Sequence, residues 1–269
     1  MTESLQKHIA DLKEITAKEE RIAMELSLAA NIQASMLPKD FDMYSSLSEF
    51  TLYASMIPAK EVGGDFYDFF MIDDRHLALV MADVSGKGVP AALFMVKAKT
   101  SIKMRAVMGG TPSEILEDVN AQMCEGNNEE LFVTVWLAVL DIKTGKGIAA
   151  NAGHEYPAVR RAGGNFGLVQ YRHSPPVATM EGMRFREHEF ELHPGDSLFV
   201  YTDGVTEATD ADNGLFGTDR MLEALNVEPD AEPTVLLKNV KEHVDRFVGE
   251  APQFDDLTML CLKYFGKAF

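Results

Sequence analysis

A seven-residue pattern of apolar positions runs through residues 1–37. Heptad spacing predicts one long helix with a continuous apolar stripe, interrupted here by several polar positions. Pro38 follows the pattern and should end the helix. A helix of this length needs a partner for its stripe, so it packs along its own domain or, as we expect, forms a homodimeric coiled coil. The stripe consists of Leu5, Leu12, Glu19, Leu26 and Gln33, interleaved with His8, Ile15, Ile22, Ala29 and Met36.

Short apolar runs separated by turn residues dominate the rest of the chain. Their lengths and their β-branched and aromatic residues predict strands, and longer periodic patterns among them predict helices. Blocks of strands around a helix pair favour an α+β fold in which helices lie outside two antiparallel sheets. The predicted strands are 51–57, 66–72, 77–83, 132–141, 147–151, 185–192, 197–201 and 257–265, and the predicted helices are 90–108, one that starts with a capping box at Thr111, 220–225 and 233–248.

Composition and charge limit the class of protein. The chain has 269 residues, of which 46% are hydrophobic, enough for one sizeable core. A net charge of -17 argues against binding to nucleic acid or to anionic lipid, because both rest on basic surface. The sequence contains no apolar run of transmembrane length and no signal-peptide pattern, so the cytoplasm is the expected compartment. Cys124 and Cys261 are too few and too far apart for a disulfide framework or a Cys-x-x-Cys metal site.

Four segments share one arrangement, in which an apolar run joins directly to aspartate, often beside glycine. Carboxylates at the ends of buried strands can converge on one edge of a sandwich, where their mutual repulsion calls for a cation. Oxygen ligands without nearby histidine or cysteine indicate hard ions such as Mg²⁺ or Mn²⁺, and several carboxylates can hold two of them. The segments are 63–68, 82–88, 201–204 and 254–258.

Each of these segments also has a purely structural interpretation. Asp-Gly is a common hairpin turn, and an aspartate after a strand often caps a loop. Taken singly, each segment is therefore better explained as structural. The pair Asp255 and Asp256 is harder to explain in this way, because adjacent carboxylates at the start of a strand are disfavoured without a counter-charge. Together, the four segments predict a metal centre.

Five motifs follow one another in a fixed order after Leu37: 58–68 (PAKEVGGDFYD), 82–92 (ADVSGKGVPAA), 151–154 (NAGH), 201–208 (YTDGVTEA) and 255–258 (DDLT). With these motifs the chain resembles the SpoIIE-type phosphatases, the bacterial branch of the type 2C metal-dependent protein phosphatases. The resemblance covers about Leu37 to the C-terminus. It implies a four-layer α/β/β/α sandwich over residues 38–269, preceded by the coiled-coil-like helix of residues 1–37.

The resemblance also implies a site and a mechanism. Two divalent cations, Mn²⁺ or Mg²⁺, would hold a bridging hydroxide that attacks phosphorus directly, without a phosphoenzyme. Asp83 matches the aspartate that bridges both ions, and the backbone carbonyl of Val84 completes one ion site. Catalysis would run through the metal-bound water, with no nucleophilic side chain. The other matching carboxylates are Asp65, Asp203 and Asp255, with Asp256 as a less certain neighbour.

Two further residues of the first motif have assigned roles. Lys60 lies five residues before Asp65, where many eukaryotic relatives place an arginine that holds the substrate phosphate, and we expect it to bind phosphate. Lysine offers a point charge and not a bidentate fork, so a solvated surface lysine is the alternative interpretation. Asp68 is expected to support the loop and not to bind metal.

The function implied by the resemblance is hydrolysis of phosphoserine or phosphothreonine in a partner protein. In such families the substrate is commonly a STAS-domain anti-sigma-factor antagonist in a bacterial partner-switching pathway. Two alternatives stay open from the residues alone. One is an inactive pseudophosphatase or dimeric scaffold that binds the phosphoprotein without turnover, and the other is a phosphoesterase for a small molecule.

Overall fold

The computed structural model describes residues 2–44 and 47–266 and divides into two compact units between Met36 and Leu37. The first unit is helix α1 (Thr2–Met36), which confirms the predicted N-terminal helix. Most residues of its stripe are exposed, with Leu12 at 63% and Ile15 at 53% of full accessibility, whereas Leu26 is half-buried and Gln33 is buried. Within the described residues, no helix has the length and apolar character needed to cross a membrane.

The second unit contains ten strands and five helices among the described residues. A short 3₁₀ turn (Phe41–Tyr44) precedes the first strand. The strands are β1 (Phe50–Ile57), β2 (Phe66–Met71), β3 (His76–Val84), β4 (Val133–Asp141), β5 (Lys146–Ala152), β6 (Ala158–Arg160), β7 (Phe166–Leu168), β8 (Glu187–Glu191), β9 (Ser197–Tyr201) and β10 (Leu257–Tyr264). The helices are α2 (Val89–Ala106), α3 (Pro112–Cys124), α4 (Asp203–Thr206), α5 (Gly217–Leu225) and α6 (Pro233–Val248).

The strands form two five-stranded sheets. The first sheet has the order β1-β10-β9-β6-β7 and the second has the order β2-β3-β4-β5-β8, with antiparallel neighbours throughout. Helices α5 and α6 pack on the first sheet and α2 and α3 on the second, while β1 and β10 contact β2 between the sheets. The predicted α/β/β/α sandwich is therefore confirmed.

The eight predicted strands are all present, with ends shifted by at most two residues. The interior strand β3 is easy to recognise, because it is covered on both faces and reads as a continuous apolar run. The capping box is also present, since the side chain of Thr111 accepts from the backbone N–H of Glu114 at the start of α3. Strands β6 and β7 and helix α4 were not predicted, because three or four residues are too few to show a period.

A buried ion pair joins β2 to α2. Lys99 Nζ donates to Asp68 Oδ2 at 2.5 Å, and both side chains are less than 10% exposed. Asp68 Oδ1 also accepts the backbone N–H of Phe69. Charges buried in this way are tolerated only when they are paired. Asp68 thus attaches to α2 the strand that begins directly after Asp65, in line with its expected supporting role.

Replacing one member of this pair should destabilise the domain strongly. Lys99→Met leaves the Asp68 carboxylate buried without a counter-charge, and we expect a loss of about 3–5 kcal/mol in the free energy of unfolding. The double variant Asp68→Leu/Lys99→Met removes both charges and should recover most of that loss. Urea denaturation of the three proteins measures the difference. Equal stability of the single and double variants would contradict this account of the pair.

Candidate metal centre

The fold brings the four predicted aspartates to one end of the sandwich. Asp65 directly precedes β2 and Asp83 lies near the end of β3, its neighbour in the second sheet. Asp203 follows β9 and Asp255 precedes β10, which are neighbours in the first sheet. Asp83 feels the charges of Asp203 and Asp255 across the gap between the sheets. Residues up to 190 positions apart in sequence therefore form one acidic cluster.

Burial and like charge act together on the two carboxylates of the second sheet. Burial is the largest cause for Asp83, followed by the charge of Asp203, and these effects raise its pKa to about 7. Burial also raises the pKa of Asp65 well above its usual range, with further contributions from Asp83 and Asp256. Thr202 Oγ1 donates to Asp65 Oδ2 at 2.6 Å, which favours the ionised form and partly offsets these effects.

The carboxylates of the first sheet differ in their surroundings. Burial raises the pKa of Asp203 to about 6, and the charges of Glu207, Asp255 and Glu155 add to the effect. Asp255 instead pairs with a cation, since its Oδ2 lies 2.7 Å from Lys87 Nζ. The cluster therefore contains more negative charge than its own side chains neutralise.

Lys87 is the basic residue that sequence reasoning missed. In addition to its pairing with Asp255, its Nζ donates to the backbone carbonyl of Phe254 at 2.5 Å. The same Nζ lies 3.8 Å from the centre of the Phe254 ring. The sequence contained a signal for this role, because Lys87 stands four residues after Asp83 in a glycine-flanked turn. Lys87 thus fixes Asp255 against the turn that follows β3.

Asp256 is held differently from the other carboxylates. Its two oxygens accept the backbone N–H groups of Ala59 and Gly64 at 2.8 Å each, and a third, longer bond comes from the N–H of Asp65 at 3.3 Å. These contacts close the loop between β1 and β2 onto the start of β10. Asp256 therefore positions Asp65, and its direct ligation of metal remains a prediction.

Glycines allow this close packing around Asp256 and Val84. A Cβ atom on Gly63 would lie 2.3 Å from Asp256 Oδ2, and one on Gly204 would lie 1.9 Å from the Asp256 carbonyl oxygen. A Cβ on Gly64 would lie 2.9 Å from the carbonyl oxygen of Val84, the carbonyl that the family resemblance implies as a metal ligand. Only glycine permits such backbone approaches.

His154 links the two sheets behind the acidic cluster. Its Nε2 lies 3.0 Å from the carbonyl oxygen of Tyr201, and its Nδ1 lies 2.9 Å from Thr134 Oγ1 on β4. Burial lowers the pKa of His154 to about 4, so the ring is neutral and Nε2 carries the proton donated to Tyr201. His154 is a satisfied buried histidine, as its turn motif suggests.

Lys60 is exposed in the loop between β1 and β2, and no carboxylate of the described residues forms an ion pair with it. It lies in the same loop as Asp65 and next to Ala59, which Asp256 holds. Its predicted role in phosphate binding is compatible with this exposure and stays a prediction.

The donor set fits hard divalent cations. The groups offered are carboxylate oxygens with burial-raised pKa values, which bind Mg²⁺ or Mn²⁺ in preference to softer metals. In the described ranges, no three side chains of aspartate, glutamate, histidine or cysteine lie close enough together to hold a metal ion without rearrangement. The carboxylates are held instead by Thr202, by Lys87 and by backbone N–H groups.

The family model described as Stage II sporulation protein E (SpoIIE) matches residues 73–265. Since this match covers well over half of the 269 residues, the chain belongs to the SpoIIE family. The family assignment confirms the resemblance drawn from the five motifs.

Curated relatives agree with this family assignment. The chain is 29% identical to Protein IcfG of Synechocystis sp. over 269 aligned residues, which cover 89% of this chain and 41% of that protein. It is 24% identical to phosphoserine phosphatase RsbU of Bacillus subtilis, over 91% of this chain and 71% of that protein. The chain therefore spans less than half the length of IcfG and about seven-tenths of RsbU.

Solved structures share the fold. The SiaA-PP2C domain of Pseudomonas aeruginosa superposes with a TM-score of 0.78 at 23% identity, covering 92% of this chain and 98% of that one. RsbX in complex with magnesium superposes with a TM-score of 0.62 at 14% identity, covering 81% and 96% of the two chains. At these identities the likeness establishes the common fold.

The electrostatic conflict within the cluster predicts a pH dependence of stability. The folded pKa of Asp83 is about 7 against 3.8 for the free carboxyl, so between these values the folded protein binds more protons than the unfolded chain. This group therefore lowers the free energy of unfolding as the pH rises from about 4 to about 7. In chelator, the stability of Asp83→Asn relative to wild type should rise across the same window.

Chemical denaturation at a series of pH values measures this difference. Asp212→Asn is the matched control, because it removes a carboxyl that is exposed in the turn after α4. If the difference in free energy of unfolding between Asp83→Asn and wild type stays constant from pH 4 to pH 7, the raised pKa of Asp83 is contradicted.

Proposed function

We propose that this chain is a metal-dependent phosphatase that removes phosphate from serine or threonine of a partner protein, using two divalent cations, Mn²⁺ or Mg²⁺. The observation that carries the proposal is the acidic cluster, in which both sheets contribute carboxylates whose ionised forms are disfavoured by burial and by one another and would be stabilised by cations. Membership of the SpoIIE family and the similarity to a protein named phosphoserine phosphatase support the same activity. RsbX, which shares the fold, is described in complex with magnesium.

Each residue of the cluster has a proposed part. Asp83 and the Val84 carbonyl, together with Asp65, Asp203 and Asp255, would hold the cations. When bound, such ions polarise a phosphoryl oxygen and acidify water at neutral pH. Asp256 keeps the Asp65 loop in place through its backbone hydrogen bonds, and Thr202 orients the Asp65 carboxylate. Lys60 would attract the phosphate dianion from its exposed position in the β1–β2 loop.

The substrate class follows from family membership and not from the site alone. We propose a phosphorylated protein, in particular a STAS-domain anti-sigma-factor antagonist of a partner-switching pathway. The name of RsbU supports a phosphoserine substrate. The acidic cluster itself fits any phosphate monoester, so substrate choice must depend on surfaces outside it.

We also propose that α1 mediates homodimerisation. The apolar heptad residues in its first three heptads are exposed in the single chain: Leu5, Leu12, Ile15 and Ile22. An exposed apolar seam along a helix of 35 residues fits a coiled coil with a second copy.

The first experiment measures phosphate release from an aryl phosphate and from a phosphoserine protein. Wild type should be active with Mn²⁺ or Mg²⁺ and inactive with chelator. Asp203→Asn should lower kcat by at least about 100-fold, because even partners outside the ligand shell contribute 10–100-fold. Asp212→Asn, an exposed carboxyl in the turn after α4, should leave the rate unchanged and serves as the matched control.

The other outcomes distinguish the competing functions. Activity that persists in chelator or in Asp203→Asn would exclude the proposed metal centre. Turnover of nucleotides or sugar phosphates with no turnover of phosphoproteins would favour a small-molecule phosphoesterase. Binding of phosphoprotein without any turnover would favour a pseudophosphatase or scaffold.

Dimerisation is tested by placing a charge in the seam of α1. Leu12→Glu buries a carboxylate in the proposed coiled coil, so the molar mass measured by light scattering should fall from dimer to monomer. Ala10→Glu introduces the same charge two residues away, outside the seam, and should leave the mass unchanged. Identical masses for wild type and Leu12→Glu would argue against a dimer formed by this seam.

A further inference from the structure

The segment of chain that connects β5 to β8 forms a basic and aromatic surface outside the acidic cluster. It surrounds a shallow depression of 540 Å³, which we call the arginine depression. The guanidinium groups come from Arg172 and Arg186, both exposed. The depression is lined by Tyr156, Gln170, Tyr171, Arg172, His173 and Arg186.

The start of β8, which follows Arg186 directly, lies at the same end of the second sheet as Asp83. Asp83 pairs with Thr134 on β4, and Ala152 at the end of β5 pairs with Val135 on β4. Glu187, which begins β8 directly after Arg186, pairs with Ala150 on β5. Three strand spacings thus separate β3 from β8, a distance of about 14 Å between the two strands at this end of the sheet.

Hydrogen bonds and ring stacking fix the backbone that carries these arginines. The Tyr171 hydroxyl accepts from Trp136 Nε1 at 3.0 Å, and the Tyr171 ring stacks on His188 with centroids 4.1 Å apart. His188 Nε2 lies 2.8 Å from the carbonyl oxygen of Arg172. The backbone N–H of Arg186 donates to Ser174 Oγ at 2.9 Å. The backbone of the depression is therefore fixed, and both arginine side chains are exposed to solvent.

Neither of these arginines has an ion-pair partner in the described part of the chain. Arg184, by contrast, pairs with Glu117 at 2.5 Å, and Arg161 pairs with Asp196 at 2.6 Å. Two free guanidinium groups side by side are unusual in a chain of net charge -17, in which carboxylates outnumber basic residues. Guanidinium groups bind carboxylates through two parallel hydrogen bonds, so the depression is suited to an acidic ligand.

We propose that the arginine depression docks an acidic segment of the phosphoprotein substrate, and this inference rests on the proposed phosphatase function. An extended chain advances about 3.3 Å per residue, so a span of about 14 Å corresponds to about four residues. The preferred substrate therefore carries aspartate or glutamate about four residues from its phosphoserine. Elsewhere the strongly acidic surface repels such a segment, which makes the depression specificity-determining.

The test compares two synthetic phosphoserine peptides and an aryl phosphate. One peptide carries paired aspartates four residues to either side of the phosphoserine, and the other carries asparagines at those positions. Wild type should prefer the aspartate peptide by about tenfold in kcat/KM, as expected for two exposed charge pairs. Arg172→Glu/Arg186→Glu should abolish this preference while leaving aryl phosphate turnover unchanged, which also shows that the variant is folded.

The matched control reverses two charges on the opposite layer. Lys238→Glu/Arg246→Glu changes two exposed basic residues on α6, which packs on the first sheet, and should keep the wild-type preference. Aryl phosphate turnover with no preference in wild type, or with a preference that survives Arg172→Glu/Arg186→Glu, would overturn the docking inference alone. Absence of aryl phosphate turnover in wild type would instead overturn the proposed function on which it rests.

Discussion

The repulsion among buried carboxylates at one end of the sandwich is the constraint on which the rest of this structure depends. Burial raises the pKa of both Asp65 and Asp83, and the charge of Asp203 in the facing sheet raises the pKa of Asp83 further. The protein meets this cost locally, through the hydroxyl of Thr202, the ammonium of Lys87 and the rigid loop that Asp256 holds. A sandwich with a large apolar core can sustain such a cost, because the unfavourable region is confined to one edge.

The strands and helices of this fold can be predicted from the sequence more completely than the hydrogen bonds that hold its candidate site. Strand β3 is easily predicted because it is buried on both faces and consists mostly of apolar residues. Asp83 is easily identified as a candidate ligand because the apolar run of β3 ends beside it. The role of Asp256 cannot be predicted from the sequence, because its partners Ala59 and Gly64 lie more than 190 residues earlier and donate through backbone N–H groups. Such bonds depend on the position of the chain and leave no pattern of residue types.

The distribution of charge separates catalysis from recognition. The acidic cluster has to concentrate negative charge to attract cations, yet its proposed substrate carries a phosphate and so approaches an unfavourable field. Bound cations reverse that field only locally. Under the proposed function, the cationic groups outside the cluster, Lys60 and the pair Arg172 and Arg186, would determine which anionic partners can approach it. Substitutions in the cationic groups could then change which partner is bound without changing the acidic cluster that is proposed to carry out the reaction.

The pairing of β1 with β10 determines when the acidic cluster can assemble during folding. Phe50 pairs with Tyr264, and Ile57 pairs with Leu257, so closing this ladder brings together segments about 200 residues apart. Loops of that size close slowly, and Asp255 and Asp256 arrive only with β10. Local hairpins such as β2–β3 can form earlier, with Asp65 and Asp83 still in water. Asp255 and Asp256 therefore join Asp65 and Asp83 only when β10 pairs with β1, so repulsion between the two sheets does not oppose the formation of local hairpins such as β2–β3.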